Sequence, residues 1–415
     1  MSEQRTLSAA ELLERIDPRA ARAAIADYAV RTPTIACDEL SEIVGVPVAL
    51  KAECLQRTGS FKLRGALNKV AALGDAATGG LVTASAGNHA RAVAQAARVR
   101  GVGCEVFMPR DAAVSKVAAV ERLGARVHLE GASVEEAVEL ALERANHSSS
   151  AFVHPFDDLD VIAGQGTLGE ELLEEIPDLA RVILPVGGGG LASGVGAALR
   201  AGRPGAEIIG IQARAFSPFA RAFASPDAAL EPDGPVPFTI ADGIALKRPG
   251  TLTLPLVREL LAGIETVSED EIAAAMVFLA DRAKLIAEGA GAVAVAALLS
   301  GRVKPGEEGT TVAIISGGNV DSGLLAGLLR RRETEEGRRV RIFTRVPDRP
   351  GGLAELLSLV AEARANLVSL EHVRDAVALS VRETGVELTL ETRGRHHTEE
   401  VVLALQGAGY EVAVE

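Results

Sequence analysis

Arg181-Val-Ile-Leu-Pro-Val-Gly-Gly-Gly-Gly-Leu191 decides how this chain folds. A short apolar run enters four consecutive glycines, and a helical pattern follows. A continuous apolar run bounded by a turn signal reads as a strand covered on both faces. Ile208-Ile-Gly-Ile211 and Val312-Ala-Ile-Ile315 are runs of the same kind. Between such runs lie helical repeats. Ala90, Val93, Ala94 and Ala97 follow the strand signal Val82-Thr83-Ala84, and Val134, Val138, Ala141 and Ala145 follow Cys104 to Met108. Strands alternating with helices imply an α/β fold with parallel sheets.

The texture changes near residue 330. Arg330-Arg-Arg-Glu-Thr-Glu-Glu-Gly-Arg-Arg339 reads as a charged linker, placed at 331–339. Beyond it, Val340–Val346 alternates like a strand and Asp348–Gly352 is a turn. Leu353, Leu356, Leu357 and Val360 have helical spacing. Asn366–Val373 and Val386–Glu391 are strands, Val401 to Ala408 a helix, and Tyr410–Val414 a last strand. This βαββαβ order is ferredoxin-like. The expected division is 1–330, the linker, and 340–415, with a smaller subdomain at about 53–155 inside the first part.

Hydrophobic residues make up 48% of the 415, enough for a large core, and the formal net charge of −13 disfavours nucleic acid and anionic membranes as partners. The glutamates among the 330–341 arginines argue against a basic binding patch. No stretch reads as a membrane span, and Gly289–Leu299 reads as a buried helix. The charged N-terminus lacks an apolar signal core. Cys37, Cys54 and Cys104 form no C-x-x-C pair. They read as reduced thiols of a cytoplasmic protein.

Four segments carry chemistry. Lys62, one of only seven lysines, sits in Arg57-Thr-Gly-Ser-Phe-Lys-Leu-Arg-Gly-Ala66, a loop entering a helix. The positive end of a helix lowers a nearby lysine's pKa and favours the neutral, nucleophilic amine. Alone, this reads first as a surface lysine at a helix start. Gly187 to Gly190 let backbone N–H groups approach a phosphate. Gln212, where an acid would bind a ribose, argues against a dinucleotide. Ser85-Ala86-Gly87-Asn88-His89 offers donors to a carboxylate, or else caps a helix. Ser316-Gly317-Gly318-Asn319 ends a strand, as an ordinary turn also does.

Together, and in this order, T-G-S-F-K-x-R-G-A, S-A-G-N-H, the tetraglycine loop and S-G-G-N resemble the threonine/serine dehydratases. These are fold type II pyridoxal-phosphate enzymes, and the resemblance spans about residues 15–325. The C-terminal part, with its D-R-P-G turn, resembles an ACT-type regulatory domain, as in the shorter members of that family. The resemblance implies that Lys62 holds pyridoxal phosphate as a Schiff base and removes the substrate's α-proton. Phe61 packs against the cofactor, Gly187, Gly188, Gly189, Gly190 and Leu191 bind its phosphate, Asn88 its ring hydroxyl and Ser316 its ring nitrogen. Ser85, Ala86, Gly87, Asn88 and His89 hold the substrate carboxylate, and Gly243, within Asp242–Ala245, lines the substrate pocket.

The implied reaction is α,β-elimination of L-threonine to 2-oxobutyrate and ammonia, and of L-serine to pyruvate. Related racemases place a hydroxyl where this chain has Ala86, which disfavours racemisation. β-Replacement and a non-catalytic amino-acid sensor are the rival readings. Gly210–Phe216 has no carboxylate, so no divalent metal site is expected. Arg91 is expected to be merely exposed. An effector such as isoleucine or valine would sit at Asp348, Gly351 and Asn366, and the chain is expected to form a homodimer or homotetramer.

Overall fold

The computed structural model describes residues 7–225, 238–304, 306, 308–374 and 382–414. The chain divides into two compact units, Met1–Asp321 and Ser322–Glu415.

The described residues of the first unit hold ten strands. Two come early, β1 (Thr34–Ala36) and β2 (Val48–Ala52). Four follow close together: β3 (Leu81–Ala84), β4 (Cys104–Met108), β5 (Arg126–Leu129) and β6 (Ala151–Phe152). The last four are β7 (Leu179–Pro185), β8 (Glu207–Ala213), β9 (Gly263–Val267) and β10 (Thr310–Ile315). They form a six-stranded sheet ordered β1-β2-β10-β7-β8-β9 and a four-stranded sheet ordered β5-β4-β3-β6. Only β1 runs antiparallel to its neighbour. Parallel neighbours need long crossovers, which is why helices alternate with strands along this unit. The smaller sheet lies inside the expected 53–155 insertion.

Val182, Ile183 and Leu184 of β7, and Val312 to Ile315 of β10, are fully buried. Each such side chain contributes about 1.5–3 kcal/mol by leaving water. The helix Gly289–Leu299 has the bounds read from sequence and is buried along nearly its whole length; a helix apolar all round has no solvent face. Among the described residues no helix is long and apolar enough to cross a membrane. The three cysteines are free thiols, and burial pushes Cys54 up to about 11 and Cys104 up to about 12.

The second unit opens with the helix Ser322–Glu335. It continues as β11 (Arg339–Pro347), helix Gly352–Glu362, β12 (Asn366–Val373), β13 (Glu383–Glu391), helix Arg395–Gly407 and β14 (Ala413–Val414). The sheet order β12-β13-β11-β14 is antiparallel throughout. That is the ferredoxin-like arrangement read from the sequence. Its core joins Val340, Ile342 and Val346 to Leu356, Val360, Leu388, Val401 and Leu405.

Three boundaries differ from expectation. The first compact unit ends at Asp321, not at 330. Most of the supposed linker is helix, because Arg and Glu are good helix formers and pair one turn apart. Arg331 meets Glu335 at 3.0 Å and Arg332 meets Glu336 at 2.7 Å. The last strand keeps only Ala413 and Val414, where two partners on β11 remain in register.

Candidate active site

Parallel strands deliver their following loops to one edge, and ligands of such sheets bind there. The segments following β3, β6, β7 and β10 meet around one cavity of about 600 Å³. It is lined by Phe61, Lys62, Ser85 to His89, Gly187 to Leu191, Gly243 and Ser316. The structure therefore brings together every site residue proposed for the first unit. Asp348, Gly351 and Asn366 belong to the second unit.

Lys62 is the first residue of the helix Lys62–Leu73, with Phe61 as its N-cap. Backbone bonds hold this start against the end of β10. Phe61 N donates to the Ser316 carbonyl at 3.0 Å, and Gly318 N donates to the Gly59 carbonyl at 2.9 Å. Lys62 Nζ donates to the Pro155 carbonyl at 2.8 Å. Burial lowers its pKa to about 8, partly opposed by the Glu288 carboxylate. Desolvation, more than the helix end expected from the sequence, is the principal cause.

The tetraglycine turn requires its glycines. Gly189 has φ +91, and a Cβ on Gly188 would lie 2.2 Å from Phe156 Cγ. Thr253 Oγ1 donates to the Gly188 carbonyl at 2.6 Å. The helix Gly190–Gly202 begins here, and its first N–H groups have no intrahelical acceptor. On the other side, Ser85 Oγ accepts from Gly87 N at 3.1 Å. His89 is buried with Nε2 3.0 Å from the Val153 carbonyl, and burial lowers its pKa to about 3. His89 is neutral at ordinary pH and positions the β6 loop. Ser316 Oγ is buried, 3.4 Å from the Ala290 carbonyl.

Sequence reasoning missed Glu288. It caps the helix Gly289–Leu299, is 7% exposed, and accepts from Asn88 Nδ2 at 2.6 Å. Burial, with the nearby Asp242 charge adding to it, pushes its carboxyl up to about 7. The available signal was a lone acid directly before an apolar helix. Arg91 also departs from expectation: it is half-buried, and Nη1 donates to Asn319 Oδ1 at 2.5 Å. Gln212 is structural, donating to the Val186 carbonyl and accepting from Ala220 N, both at 3.0 Å. At the cavity rim Lys116 meets Asp242 at 2.6 Å and Lys247 meets Glu135 at 3.4 Å.

A buried amine with a lowered pKa, opposite a glycine-lined helix start, suits an aldehyde that carries a phosphate. Residues 25–317 match the family described as pyridoxal-phosphate dependent enzyme. The chain belongs to that family. It is similar to an L-threonine ammonia-lyase from Thermotoga maritima, 44% identical over 96% of this chain and 98% of the relative. Among solved structures it is similar to a threonine deaminase from T.th., with 39% identity, TM-score 0.68, and coverage of 74% of this chain and 98% of that one. It is also similar to maize serine racemase, with 34% identity, TM-score 0.71, and coverage of 78% and 98%.

The cavity of this pyridoxal-phosphate dependent enzyme fits its cofactor by its own geometry. The turn packs so closely on Phe156 and Thr253 that a Cβ at Gly188 or Gly189 would overlap them, so glycines alone let this backbone line the cavity. Lys62 is the one lysine of the cavity without a carboxylate contact among the described residues, since Lys116 and Lys247 are ion-paired. A consequence follows for pH. Only the neutral amine attacks an aldehyde, and Lys62 loses its proton near pH 8. Covalent capture of pyridoxal phosphate by cofactor-free protein is expected to accelerate about tenfold per pH unit below that value and to level off above it. Stopped-flow absorbance measures this; a rate still climbing steeply at pH 10 would show an ordinary exposed lysine.

Proposed function

We propose that this enzyme is a threonine ammonia-lyase, converting L-threonine to 2-oxobutyrate and ammonia and L-serine to pyruvate and ammonia. The observation that carries the reading is the pairing of Lys62 with Ala86 in one cavity: a buried amine able to move a proton, and a methyl where a second proton-moving hydroxyl would serve racemisation. The relatives named for threonine deamination support it.

Bound pyridoxal phosphate supplies an aldehyde for the substrate amine and a ring that draws electrons from Cα. Lys62 holds the cofactor between turnovers and takes the α-proton. Ser85 and the N–H groups from Ala86 to His89 bind the substrate carboxylate, while Gly243 borders the side-chain pocket. The amides from Gly187 to Leu191 would hold the cofactor phosphate, Phe61 would pack beside the ring, and Asn88 would donate to the ring oxygen. Ser316, a neutral partner, would face the ring nitrogen and would leave it largely unprotonated, which suits elimination. The β-hydroxyl leaves with a proton as water, and the released enamine tautomerises to an imine that water hydrolyses to the keto acid and ammonia.

The second unit is an ACT-type regulatory domain in a cytoplasmic homodimer or homotetramer. Gly351, at φ 94, starts the helix Gly352–Glu362 beside the Asp348 turn, which supports an amino-acid carboxylate site there. Asn366 Nδ2 donates to Glu391 Oε2 at 2.9 Å at the start of β12. The edge strand β12 exposes Leu367 and Val368, which supports assembly through this unit. The assay is release of ammonia and keto acid from threonine and serine, with isoleucine and valine titrated and D-serine monitored. Keto acid production with less activity at micromolar to millimolar isoleucine is the expected result. D-Serine as main product would replace elimination by racemisation. Activity and threonine affinity unmoved by either amino acid would leave the second unit a purely assembling domain.

A further inference from the structure

Four side chains join in one hydrogen-bonded line at the cavity. Arg91 Nη1 donates to Asn319 Oδ1 at 2.5 Å, and Asn319 Nδ2 donates to Asn88 Oδ1 at 2.8 Å. Asn88 Nδ2 donates to Glu288 Oε1 at 2.6 Å, and Asn319 Nδ2 also donates to the Thr58 carbonyl at 2.8 Å. The two asparagines come from different segments. Asn88 begins the helix Asn88–Arg100, and Asn319 lies in the turn after β10.

An asparagine amide has two faces that differ only in which atom donates, and its network decides which way it points. Asn319 has no freedom in this respect. A guanidinium only donates and a carbonyl only accepts, so Arg91 and Thr58 demand the same orientation from opposite sides. Asn319 then offers N–H to Asn88, and a reversed Asn88 would set two N–H groups against each other. Protonating Glu288 does not lift that clash, so Glu288 alone does not decide the orientation. Two glycines leave room for the line. A Cβ on Gly317 would lie 2.4 Å from Glu288 Oε1, and one on Gly59 would lie 2.6 Å from Asn319 Oδ1.

We propose that Asn319, anchored by Arg91 and the Thr58 carbonyl, is a positioning residue that locks the Asn88 amide with its N–H edge toward the cavity. Asn88 Nδ2 carries two hydrogens and spends one on Glu288. The other has no acceptor among the described residues and is available to an acceptor oxygen on the cofactor ring. Resting as it does on the cavity being the pyridoxal-phosphate site, the proposal adds the device that fixes the polarity of one contact. Arg91 thereby serves the cofactor without touching it.

Asn319→Asp tests this directly, because a carboxylate accepts on both sides and forces Asn88 to reverse. An acceptor facing the ring oxygen favours that oxygen's protonated form. The variant holoenzyme is expected to show its visible band titrating at higher pH, and cofactor affinity, measured by fluorescence titration after removal of the cofactor, about tenfold weaker or more. Arg91→Glu, which reverses the anchor, is expected to move both readings the same way by less, and Arg91→Lys, which still donates, to restore them. Wild-type affinity and band titration in Asn319→Asp would overturn the proposal, as would a lowered melting temperature with neither reading changed. If Asn319→Asp does not fold, equal readings for Arg91→Glu and Arg91→Lys would overturn it. A wild-type protein with no visible band would instead overturn the cofactor assignment itself.

Discussion

Lys62→Ala is expected to lower threonine deamination by about 10⁴-fold or more, since the proposed role gives one residue both the covalent hold and the proton transfer. No neighbour can take over. Lys116 and Lys247 line the same cavity, but each is more than a third exposed and engaged by a carboxylate, Asp242 and Glu135 respectively. Both amines are tied to those carboxylates, and neither is buried as Lys62 is. His89 is buried and neutral, but its Nε2 is committed to the Val153 carbonyl. The glycine turn is untouched by the substitution, so the variant is expected still to bind pyridoxal phosphate, reversibly and without the visible band of a covalently held cofactor. Steady-state assay of 2-oxobutyrate together with the absorbance spectrum decides the matter. Activity within about tenfold of wild type would remove Lys62 from the chemistry.

Arg64→Met is expected to cost about 3–5 kcal/mol of stability. Arg64 is 1% exposed and sits two residues after Lys62 on the same helix. Its guanidinium reaches Glu53 through Nε at 2.9 Å and Nη2 at 2.8 Å. It reaches Glu171 through Nη1 at 2.7 Å and Nη2 at 3.0 Å. Burial pushes the guanidinium pKa down, and the two carboxylates outweigh it and leave it raised. Methionine fills similar volume but strands Glu53. Lys51, 2.8 Å from Glu171 and 2.9 Å from Glu175, still serves the other carboxylate.

The sign of the pH effect follows from Glu53. Burial raises its pKa, but Arg64 outweighs burial and holds it below the ordinary 4.5. Its favourable contribution is thus present above pH 4.5 and is lost as pH falls through the lowered folded value. The deficit of Arg64→Met, read from urea unfolding midpoints, is expected to be full at neutral pH and to narrow in acid. A loss under about 1 kcal/mol at pH 7 would mean that Lys51 and Thr32 suffice to hold the network. Because the network braces the helix that carries Lys62, cofactor release should quicken in the same variant.

The sequence alone determined those features that depend on neighbours along the chain. Apolar runs of strand length marked β4 and the helix Gly289–Leu299 to the residue, and glycines marked the turn into the helix Gly190–Gly202. Those local patterns also placed Lys62, the Ser85–His89 turn and Ser316 at the ends of elements, where a parallel sheet gathers its loops. It misread 331–335 because charge content alone does not separate a solvated linker from a helix with paired charges. What only the tertiary structure decided is the electrostatic character of the site. Glu288 reaches Asn88 across 200 residues of chain and Arg91 reaches Asn319 across 228. No local pattern encodes either meeting. Lys62 has its lowered pKa chiefly because packing removes water from it, and desolvation is a property of everything that surrounds a group in space.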